Sequence, residues 1–301
     1  MSNAVMDASL PEIGPTEFRL FRDLIQRHTG IWLREGKQVM LASRLARRLR
    51  EHQMSSFADY YRYVEGCRDG GAELGEMINC VTTNKTSFFR ERHHFAFLSE
   101  TAVPEIAARS GTTRGGAATA KPAIHVWSAA CSTGEEPYSI AITLLEWQLQ
   151  DRGAMNSGWD MRIAASDIDT TVLEKAARGI YGEDELEGID PAIRKKYFLR
   201  GKEDMAGCIR VKKHVAALVE FQRINLMDSS WPLNASFDAV FFRNALIYFR
   251  QETQDLFLRR IARRMKPGGY LFLGHAEHIP WLHDVFEPMQ KTIYRLRSAR
   301  T

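Results

Sequence analysis

IHVWSAACSTGEEPYSIAITLL, residues 124–145, is the stretch that decides the fold of this chain. It opens with a short apolar run, passes through small residues from Ser128 to Gly134, and continues into an apolar-periodic stretch that begins near Pro137. This is the pattern of a buried strand, a loop and the start of a helix. The stretch therefore predicts a strand–loop–helix unit of an α/β fold, in which ligands bind beyond the carboxyl ends of the strands.

The predicted loop suits a nucleoside that carries a positive charge. Its small side chains let a ligand approach the backbone, and Glu135 and Glu136 follow it with carboxylates that could hold a cationic group. The loop is not G-x-G-x-x-G, so a dinucleotide pyrophosphate fits poorly. S-adenosylmethionine (SAM) fits better, although plain α/β scaffolding explains the same residues about equally well.

Length and composition exclude several classes of protein. The 301 residues, 45% of them apolar, allow one large α/β domain and a smaller one. A net charge of +4 is too small to argue for nucleic acid. The four cysteines have no C-x-x-C spacing, which indicates free thiols in a reducing cytoplasm. No apolar run reaches the roughly 18 to 20 residues that cross a bilayer, so we predict a cytoplasmic protein without membrane insertion.

Helical periodicity over residues 16–79 predicts a small all-helical domain. In GKQVMLASRLARRLRE the leucines share one helix face, and the neighbouring face carries Arg44, Arg47, Arg48 and Arg50. A solvated helix face is the simplest explanation of these arginines. The alternative is a positive strip that docks an acidic partner or a nucleic-acid backbone.

Polar residues follow each later predicted strand. Asp167 ends the strand MRIAASD and is placed to accept hydrogen bonds from ribose hydroxyls, whereas Asp169 could instead cap the next helix. Asn225 could pair with an adenine edge. The apolar strand of residues 239–242 is followed directly by Arg243 and Asn244. Together these strand ends predict a nucleoside pocket along the carboxyl edge of a doubly wound sheet.

Two further segments are less regular. Residues 81–95, VTTNKTSFFRERHHF, offer Arg90 as a planar fork for a carboxylate, although a helix-capping loop is the simpler explanation. His93 and His94 are adjacent and should point apart on a helix, so no metal site is predicted there. Residues 182–220 leave the βα pattern and predict an antiparallel insert whose edge could accept an extended peptide, or a decorative insertion.

Four motifs resemble one known family: TTNKTSFFRE at 82–91, WSAACSTGEEPYS at 127–139, ASDID with ARGIY following, and FFRNALIYF at 241–249. They are similar to those of the chemotaxis receptor methyltransferases, the CheR family of SAM-dependent protein-glutamate O-methyltransferases. The resemblance implies an α/β, doubly wound class I methyltransferase sheet at 124–301, with an inserted antiparallel β-subdomain at about 182–220. It also implies an N-terminal all-helical domain at 12–80 and a linker and active-site segment at 81–123.

The resemblance carries expectations for individual residues. Arg90 and Tyr248 would be catalytic and flank the reacting carboxylate. The residues expected to bind SAM, or its product S-adenosylhomocysteine, are Asn84, Thr86, Arg90, Glu135, Asp167, Asn225, Leu226, Arg243 and Asn244. Arg44, Arg47 and Arg48 would bind the cytoplasmic helical domain of chemoreceptors, and the β-subdomain could hold a receptor C-terminal peptide.

The implied function is methylation of specific chemoreceptor glutamates to methyl esters, which serves sensory adaptation. Two alternatives remain at this point. A non-catalytic SAM-binding regulator would keep the pocket without the chemistry. A nucleic-acid methyltransferase would use the basic helix for phosphate contacts, but the chain lacks the N-P-P-aromatic stretch and paired catalytic cysteines of such enzymes.

Overall fold

The computed structural model describes residues 11–66, 71–112, 121–150 and 158–298. By its contacts the chain divides into two compact units. The first unit comprises residues 1–83 with 248–250, and the second comprises residues 84–247 with 251–301.

The described part of the first unit contains four helices: α1 Pro15–Thr29, α2 Gln38–Glu51, α3 Phe57–Gly66 and α4 Gly71–Val81. Their apolar faces meet around Phe21, which is fully buried. Its ring stacks on Tyr60 at 6.0 Å and meets Tyr61 edge-on at 5.4 Å. Such aromatic pairs add specific geometry to the hydrophobic burial that holds small helical domains together.

The described residues of the second unit form ten strands: β1 Ala123–Ala129, β2 Asp160–Asp167, β3 Ile180–Gly182, β4 Phe198–Arg200, β5 Cys208–Val211, β6 Val219–Arg223, β7 Phe237–Phe242, β8 Met265–Leu273, β9 Phe286–Gln290 and β10 Ile293–Leu296. Seven form one sheet in the order β6-β2-β1-β7-β8-β10-β9. The first five strands of that order are parallel, and β10 is antiparallel to both neighbours. The order reverses at β1, so the carboxyl ends of β1, β2 and β7 meet at the switch point where α/β sheets bind ligands.

The helices of the second unit are α5 His93–Phe97, α6 Val103–Thr112, α7 Glu135–Gln150, α8 Thr170–Arg178, α9 Pro191–Tyr197, α10 Lys213–Ala216 and α11 Gln251–Ala262. A π-helix, Leu98–Ala102, joins α5 to α6. Residues 81–123 were expected as a linker and active-site segment, but they are helical from His93 to Thr112. The reason is burial, because Phe95, Leu98 and Ile106 belong to the hydrophobic core. Residues 113–120 of this segment lie outside the described residues.

The central strands are buried on both faces. All six residues of β7 are buried, and Phe241 stacks on Phe272 of β8 with ring centroids 4.2 Å apart. A parallel sheet covered by helices on both sides requires such continuous apolar strands. None of the described helices has the length and apolarity needed to pass through a lipid bilayer.

The insert forms its own antiparallel sheet in the order β3-β5-β4. Its loop from Gly201 to Gly207 is closed tightly, because the Gly201 N–H donates to the Cys208 carbonyl at 2.8 Å. A Cβ atom at Gly201 would lie 2.0 Å from the carbonyl oxygen of Met205, so a larger residue would force the loop to move. The predicted fold class, a doubly wound α/β sheet with an N-terminal helical domain and an inserted antiparallel β-subdomain, is confirmed.

Candidate active site at the strand ends

The loop after β1 has an unusual backbone. Ala130, Ser132 and Gly134 have φ angles of 60°, 50° and 96°. At Gly134 an added Cβ would lie 2.8 Å from the Cβ of Ala176 and 2.9 Å from the hydroxyl of Tyr181, so only glycine fits. Left-handed conformations at Ala130 and Ser132 cost free energy, on the order of 1–3 kcal/mol each, and persist only where the surroundings hold them.

Asp167, at the end of β2, provides part of that hold. Its Oδ2 accepts the backbone N–H of Ser132 at 2.8 Å, and its Oδ1 accepts that of Asp169 at 3.0 Å. Burial raises the pKa of Asp167, and these backbone hydrogen bonds oppose the rise. An ionised carboxylate has about four acceptor positions. Asp167 therefore orders the loop and retains acceptor capacity for ligand hydroxyls.

Asp169 caps α8 and also reaches Asn84. Its Oδ1 accepts the N–H groups of Thr171 and Val172, and its Oδ2 accepts from the Asn84 side-chain amide at 2.7 Å. The Asn84 carbonyl in turn accepts from the Ser132 hydroxyl at 3.0 Å. Two neighbouring strand ends and the predicted active-site segment are therefore joined by direct hydrogen bonds.

Glu135 is a buried carboxylate at the first turn of α7. The Thr133 hydroxyl lies 2.9 and 2.7 Å from its two oxygens. Burial raises the pKa of Glu135, while Thr133 and, more weakly, Lys175 act in the opposite direction. A buried carboxylate with so little positive charge beside it fits a cationic ligand group, such as the amino group of SAM. Together with the acceptor capacity of Asp167, this set of hydrogen-bond acceptors fits a positively charged nucleoside.

The guanidinium of Arg243, at the end of β7, lies between two carboxylates. Its Nη1 is 3.1 Å from Glu136 Oε2, its Nη2 is 3.2 Å from Glu91 Oε2, and Nη2 also donates to the Arg90 carbonyl. The Arg243 side chain is only 2% exposed. Ser128 donates to the other oxygen of Glu136 at 2.7 Å. Both terminal nitrogens of Arg243 thus contact protein groups, and its expected contact with the cofactor stays a prediction.

The two carboxylates respond differently to this guanidinium. Burial raises the pKa of Glu136, and the charge of Arg243 offsets that only in part. Burial acts in the same direction on Glu91, but the charge of Arg243 and hydrogen bonds from the His275 N–H and the Asn244 amide outweigh it. The pKa of Glu91 is therefore lowered, and this carboxylate is held in its charged form.

Arg90 stands in a tight turn. Its neighbours Phe89 and Glu91 have φ angles of 52° and 60°. The Phe89 N–H donates to the Ser139 hydroxyl at 2.9 Å, and Arg90 Nη1 donates to the Lys85 carbonyl at 2.8 Å. The remaining donors of this half-buried guanidinium suit a carboxylate.

Asn244 follows Arg243 with a φ of 57°. Glu277 holds it there, since its carboxylate accepts the N–H groups of Gly274, Asn244 and Ile247 at 2.6, 2.9 and 3.3 Å. A Cβ at Gly274 would lie 2.4 Å from the Asn244 side-chain nitrogen. Glu277 is therefore an anchor for the backbone at the end of β7.

The other expected site residues are placed less tightly. Asn225 Oδ1 accepts from the Met227 N–H at 3.0 Å, and the Leu226 carbonyl accepts from Arg260 Nη1 at 2.7 Å. Thr86 is half-buried. Tyr248 belongs to the first unit, where its carbonyl accepts the Trp32 N–H at 2.8 Å. Its pairing with Arg90 across a substrate carboxylate stays a prediction.

Comparison with known proteins identifies the architecture. Residues 84–295 match the family "CheR methyltransferase, SAM binding domain", and residues 16–82 match "CheR methyltransferase, all-alpha domain". The chain belongs to the CheR methyltransferase family. The recognised family, the fold and the cofactor SAM are thereby confirmed, and the chain is a SAM-dependent methyltransferase.

Relatives of the CheR family align over nearly the whole chain. The chemotaxis protein methyltransferase of Klebsiella aerogenes is 42% identical over 99% of this chain and 94% of the relative. That of Escherichia coli K12 is 40% identical over 94% and 92%. A solved structure titled "DhpI-SAH complex structure" aligns with 69% of this chain and 77% of that chain at 19% identity. Its TM-score of 0.31 is too low for a comparison of folds.

The basic helix of this CheR-family chain is less open than its sequence predicts. Arg44 donates to the carbonyls of Val81 and Thr82 and to the Thr83 hydroxyl, so its guanidinium binds the end of α4. Arg48 is 11% exposed and pairs with carboxylates of its own unit. Arg47 is 72% exposed and pairs with Glu51 at 2.8 Å. Of the three expected partner-binding arginines, only Arg47 presents its guanidinium mainly to solvent.

The two adjacent histidines also differ from expectation. The rings of His93 and His94 lie 4.1 Å apart, and ligand atoms of Glu91, His93 and His94 lie within 4.8 Å of one another. The expected divergence applies inside a helix, whereas α5 begins only at His93. We assign no metal here, because the Arg243 guanidinium already stands 3.2 Å from Glu91 Oε2 and supplies the compensating charge.

Sequence reasoning missed the residues that hold the site in shape, namely Glu91, Ser132 and Ser139, and it gave Glu136 and Glu277 no such task. One signal was present. A buried arginine requires counter-charges, and Arg243 ends an apolar strand. Which carboxylates surround it depends on the fold.

Proposed function

We propose that this chain transfers the methyl group of SAM to glutamate side chains of chemoreceptors and forms glutamate methyl esters. One observation carries the proposal. The turn that bears Arg90 is bonded to Ser139 of α7, the helix whose first turn carries the buried Glu135. It is also bonded to Arg243 at the end of β7, which lies in the same sheet as β2 with its buried terminal Asp167. A guanidinium suited to a substrate carboxylate is therefore built beside a site suited to a cationic nucleoside. The relatives' name, chemotaxis protein methyltransferase, supports chemoreceptors as the substrates.

Each strand end has a proposed task in binding SAM. Glu135 holds the amino group of the methionine end, and Asp167 accepts from the ribose hydroxyls. Asn225 and Leu226 hold the adenine. The remaining wall consists of Asn84, Thr86, Arg90, Arg243 and Asn244.

The proposed chemistry depends on alignment. A glutamate side chain is ionised at neutral pH, since its ordinary pKa is about 4.3, so no general base is required. Bound SAM supplies an electrophilic methyl group on a sulfonium. Arg90 orients the substrate carboxylate with its planar fork, and Tyr248 donates a hydrogen bond to it. Because strong ground-state bonds would damp the nucleophile, the main contribution of both residues is orientation.

Two surfaces are proposed for the receptor. The exposed Arg47 of α2 suits the acidic cytoplasmic helices that carry the glutamates. In the β-subdomain, β3 and β4 are edge strands, and Leu199 on β4 and Met205 beside it are exposed. An extended C-terminal receptor peptide could add to such an edge as a further strand. The cytoplasmic location of the enzyme stays a prediction.

The test uses SAM labelled in its methyl group and membranes from the protein's own host. We expect label in receptor bands, released by mild alkali as volatile methanol because methyl esters hydrolyse. Alkali-stable label, or label in nucleic acid, would favour the nucleic-acid alternative. SAM binding without any transfer would favour the regulator. Arg162→Ala, a change at an exposed residue outside the proposed site, is the control variant and should transfer label as the wild type does.

A further inference from the structure

The turn formed by residues 88–91, the Arg90 turn, does not hold its shape by local bonds alone. Phe89 and Glu91 both have left-handed backbone angles, which bulky L-residues rarely adopt. The local backbone hydrogen bond, from the Arg90 N–H to the Ser87 carbonyl, is long at 3.4 Å. Such a turn needs support from other parts of the fold.

Besides the Ser139 hydroxyl, one guanidinium and one carboxylate supply that support. Arg243 donates to the Arg90 carbonyl and stands 3.2 Å from Glu91 Oε2. Glu91 Oε1 accepts from the Asn244 amide at 3.3 Å and from the His275 N–H at 3.2 Å. The turn is therefore tied to the ends of both β7 and β8.

Glu136 holds the guanidinium from its other side. It contacts Arg243 Nη1 at 3.1 Å, and Ser128 donates to its second oxygen. Because Ser128 and Glu136 flank the loop after β1, the Arg90 turn and that loop share one buried group. The contacts to Glu91 and Glu136 engage both terminal nitrogens of Arg243, which fixes the orientation of its planar fork.

We propose that Glu91 and Arg243 are positioning residues that set the direction of the Arg90 guanidinium. They touch the backbone and side chains of the Arg90 turn, and they act on the reaction through Arg90. This rests on the proposed function, in which Arg90 orients the substrate carboxylate. Because the reaction depends on alignment, a loosened turn lowers kcat and leaves ground-state binding of SAM nearly unchanged.

A double-mutant cycle tests this. In Glu91→Gln the hydrogen bonds from Asn244 and His275 can persist, but the charge opposite Arg243 is lost. We expect kcat for receptor methylation to fall about 10²-fold, with the SAM dissociation constant and the receptor KM within about threefold of wild type. In the Arg90→Ala background the same change should lower kcat less than about twofold, because the proposed route by which Glu91 affects methyl transfer, the Arg90 guanidinium, is gone.

The cycle separates this role from simple destabilisation. An additive loss in the Arg90→Ala background, or wild-type kcat in Glu91→Gln, would overturn the proposal. Retained activity in Arg90→Ala would instead overturn the role of Arg90 in the proposed function. Glu287→Gln, an exposed change of the same chemistry on β9, is the matched control and should keep wild-type kcat.

Folding is checked in the same samples. Rates are normalised to the fraction of enzyme that binds SAM, and thermal unfolding is recorded for each variant. Glu91→Asp serves as the second variant, because it keeps the charge and shortens the reach. We expect it to recover part of the kcat lost in Glu91→Gln. If kcat is no higher in Glu91→Asp than in Glu91→Gln while both variants bind SAM equally, the proposed electrostatic role of Glu91 is overturned.

Discussion

Arg48 and Arg243 are two arginines in comparable settings, one in each unit. Arg48 is 11% exposed and contacts Glu73 and Glu51, and Arg243 is 2% exposed and contacts Glu136 and Glu91. Both guanidiniums are therefore largely shielded from water and face two carboxylates each, although Glu51 of the Arg48 cluster is itself 39% exposed.

The clusters differ in what else they hold. Glu73 collects Arg48, the Tyr60 hydroxyl at 2.6 Å and His52 at 2.8 Å, all of them side chains of the helical unit. In the Arg243 cluster, by contrast, the guanidinium also donates a hydrogen bond to a main-chain carbonyl, that of Arg90. The same ionic chemistry thus serves packing in the first unit. In the second unit it serves the shape of the Arg90 turn, for which we propose a catalytic role. Loss of the first should appear in stability, and loss of the second in turnover.

The largest expected effect lies at the turn that the Arg243 cluster supports. Arg90→Ala should lower methyl transfer about 10³-fold, or about 4 kcal/mol in the activation free energy, because the substrate carboxylate loses its orienting fork. SAM affinity, measured by calorimetry, should stay within about threefold. Equal losses of SAM affinity and turnover would show that Arg90 acts in SAM binding and not specifically in methyl transfer.

The next effect belongs to the Arg48 cluster. Glu73→Gln should lower the free energy of unfolding by about 3 kcal/mol, because it leaves a mostly buried guanidinium short of a counter-charge. Denaturant unfolding measures the loss. The kcat per folded molecule should equal that of wild type. Normal stability with a reduced kcat in Glu73→Gln would contradict the assignment of the Arg48 cluster to stability and not to turnover.

Asp167→Ala should weaken SAM binding about tenfold to thirtyfold, because the ribose loses its acceptor and the Ser132 N–H loses its partner. Titration calorimetry gives the dissociation constant. At saturating SAM, turnover should recover to near the wild-type rate. Unchanged affinity would place Asp167 in the scaffold alone.

The contributions of the Arg48 and Arg243 clusters to stability should depend on pH in different ways. Burial opposes ionisation of Glu73, but hydrogen bonds from Arg48, Tyr60 and His52 lower its pKa below the ordinary 4.5. Its stabilising contribution is therefore fully present above pH 4.5 and is lost as the pH falls through the folded-state pKa. The stability difference between wild type and Glu73→Gln should narrow in that range. A difference that stays constant to pH 3 would contradict this assignment.

The contribution of Glu136 to stability should depend on pH in the opposite direction to that of Glu73. Burial raises its pKa, so its contribution favours folding at low pH and is lost as the pH rises through the folded-state value. Unfolding curves of wild type and Glu136→Gln between pH 4 and 7 test this pH dependence.

The smallest effect is expected on the solvent side of α2. Arg47→Ala should raise the receptor KM about twofold at low salt and less at high salt, because an exposed charge acts at long range and is screened. Arg162→Ala is the matched control, since that arginine is 73% exposed and also pairs with a neighbouring carboxylate. Equal effects of both changes would indicate net charge and not a docking surface.

Local pattern was sufficient to predict much of this molecule. Alternating apolar runs and small-residue loops predicted the strands and their carboxyl ends, because consecutive parallel strands must present those ends at one edge. Asp167 and Glu135 were found this way, and both lie buried at that edge. The helical stripe of α2 likewise predicted which leucines are buried, since helix periodicity alone determines that face.

Residue patterns and motifs were enough to predict the family, a helical unit and an α/β unit, and the strand ends that carry polar groups. Which charges meet depends on the fold. Arg44 and Arg48 bind groups of their own unit, and Arg243 binds Glu91, 152 positions away along the chain. The physical reason is that long charged side chains choose partners by distance in space and by the cost of burial, and neither quantity is encoded in local spacing.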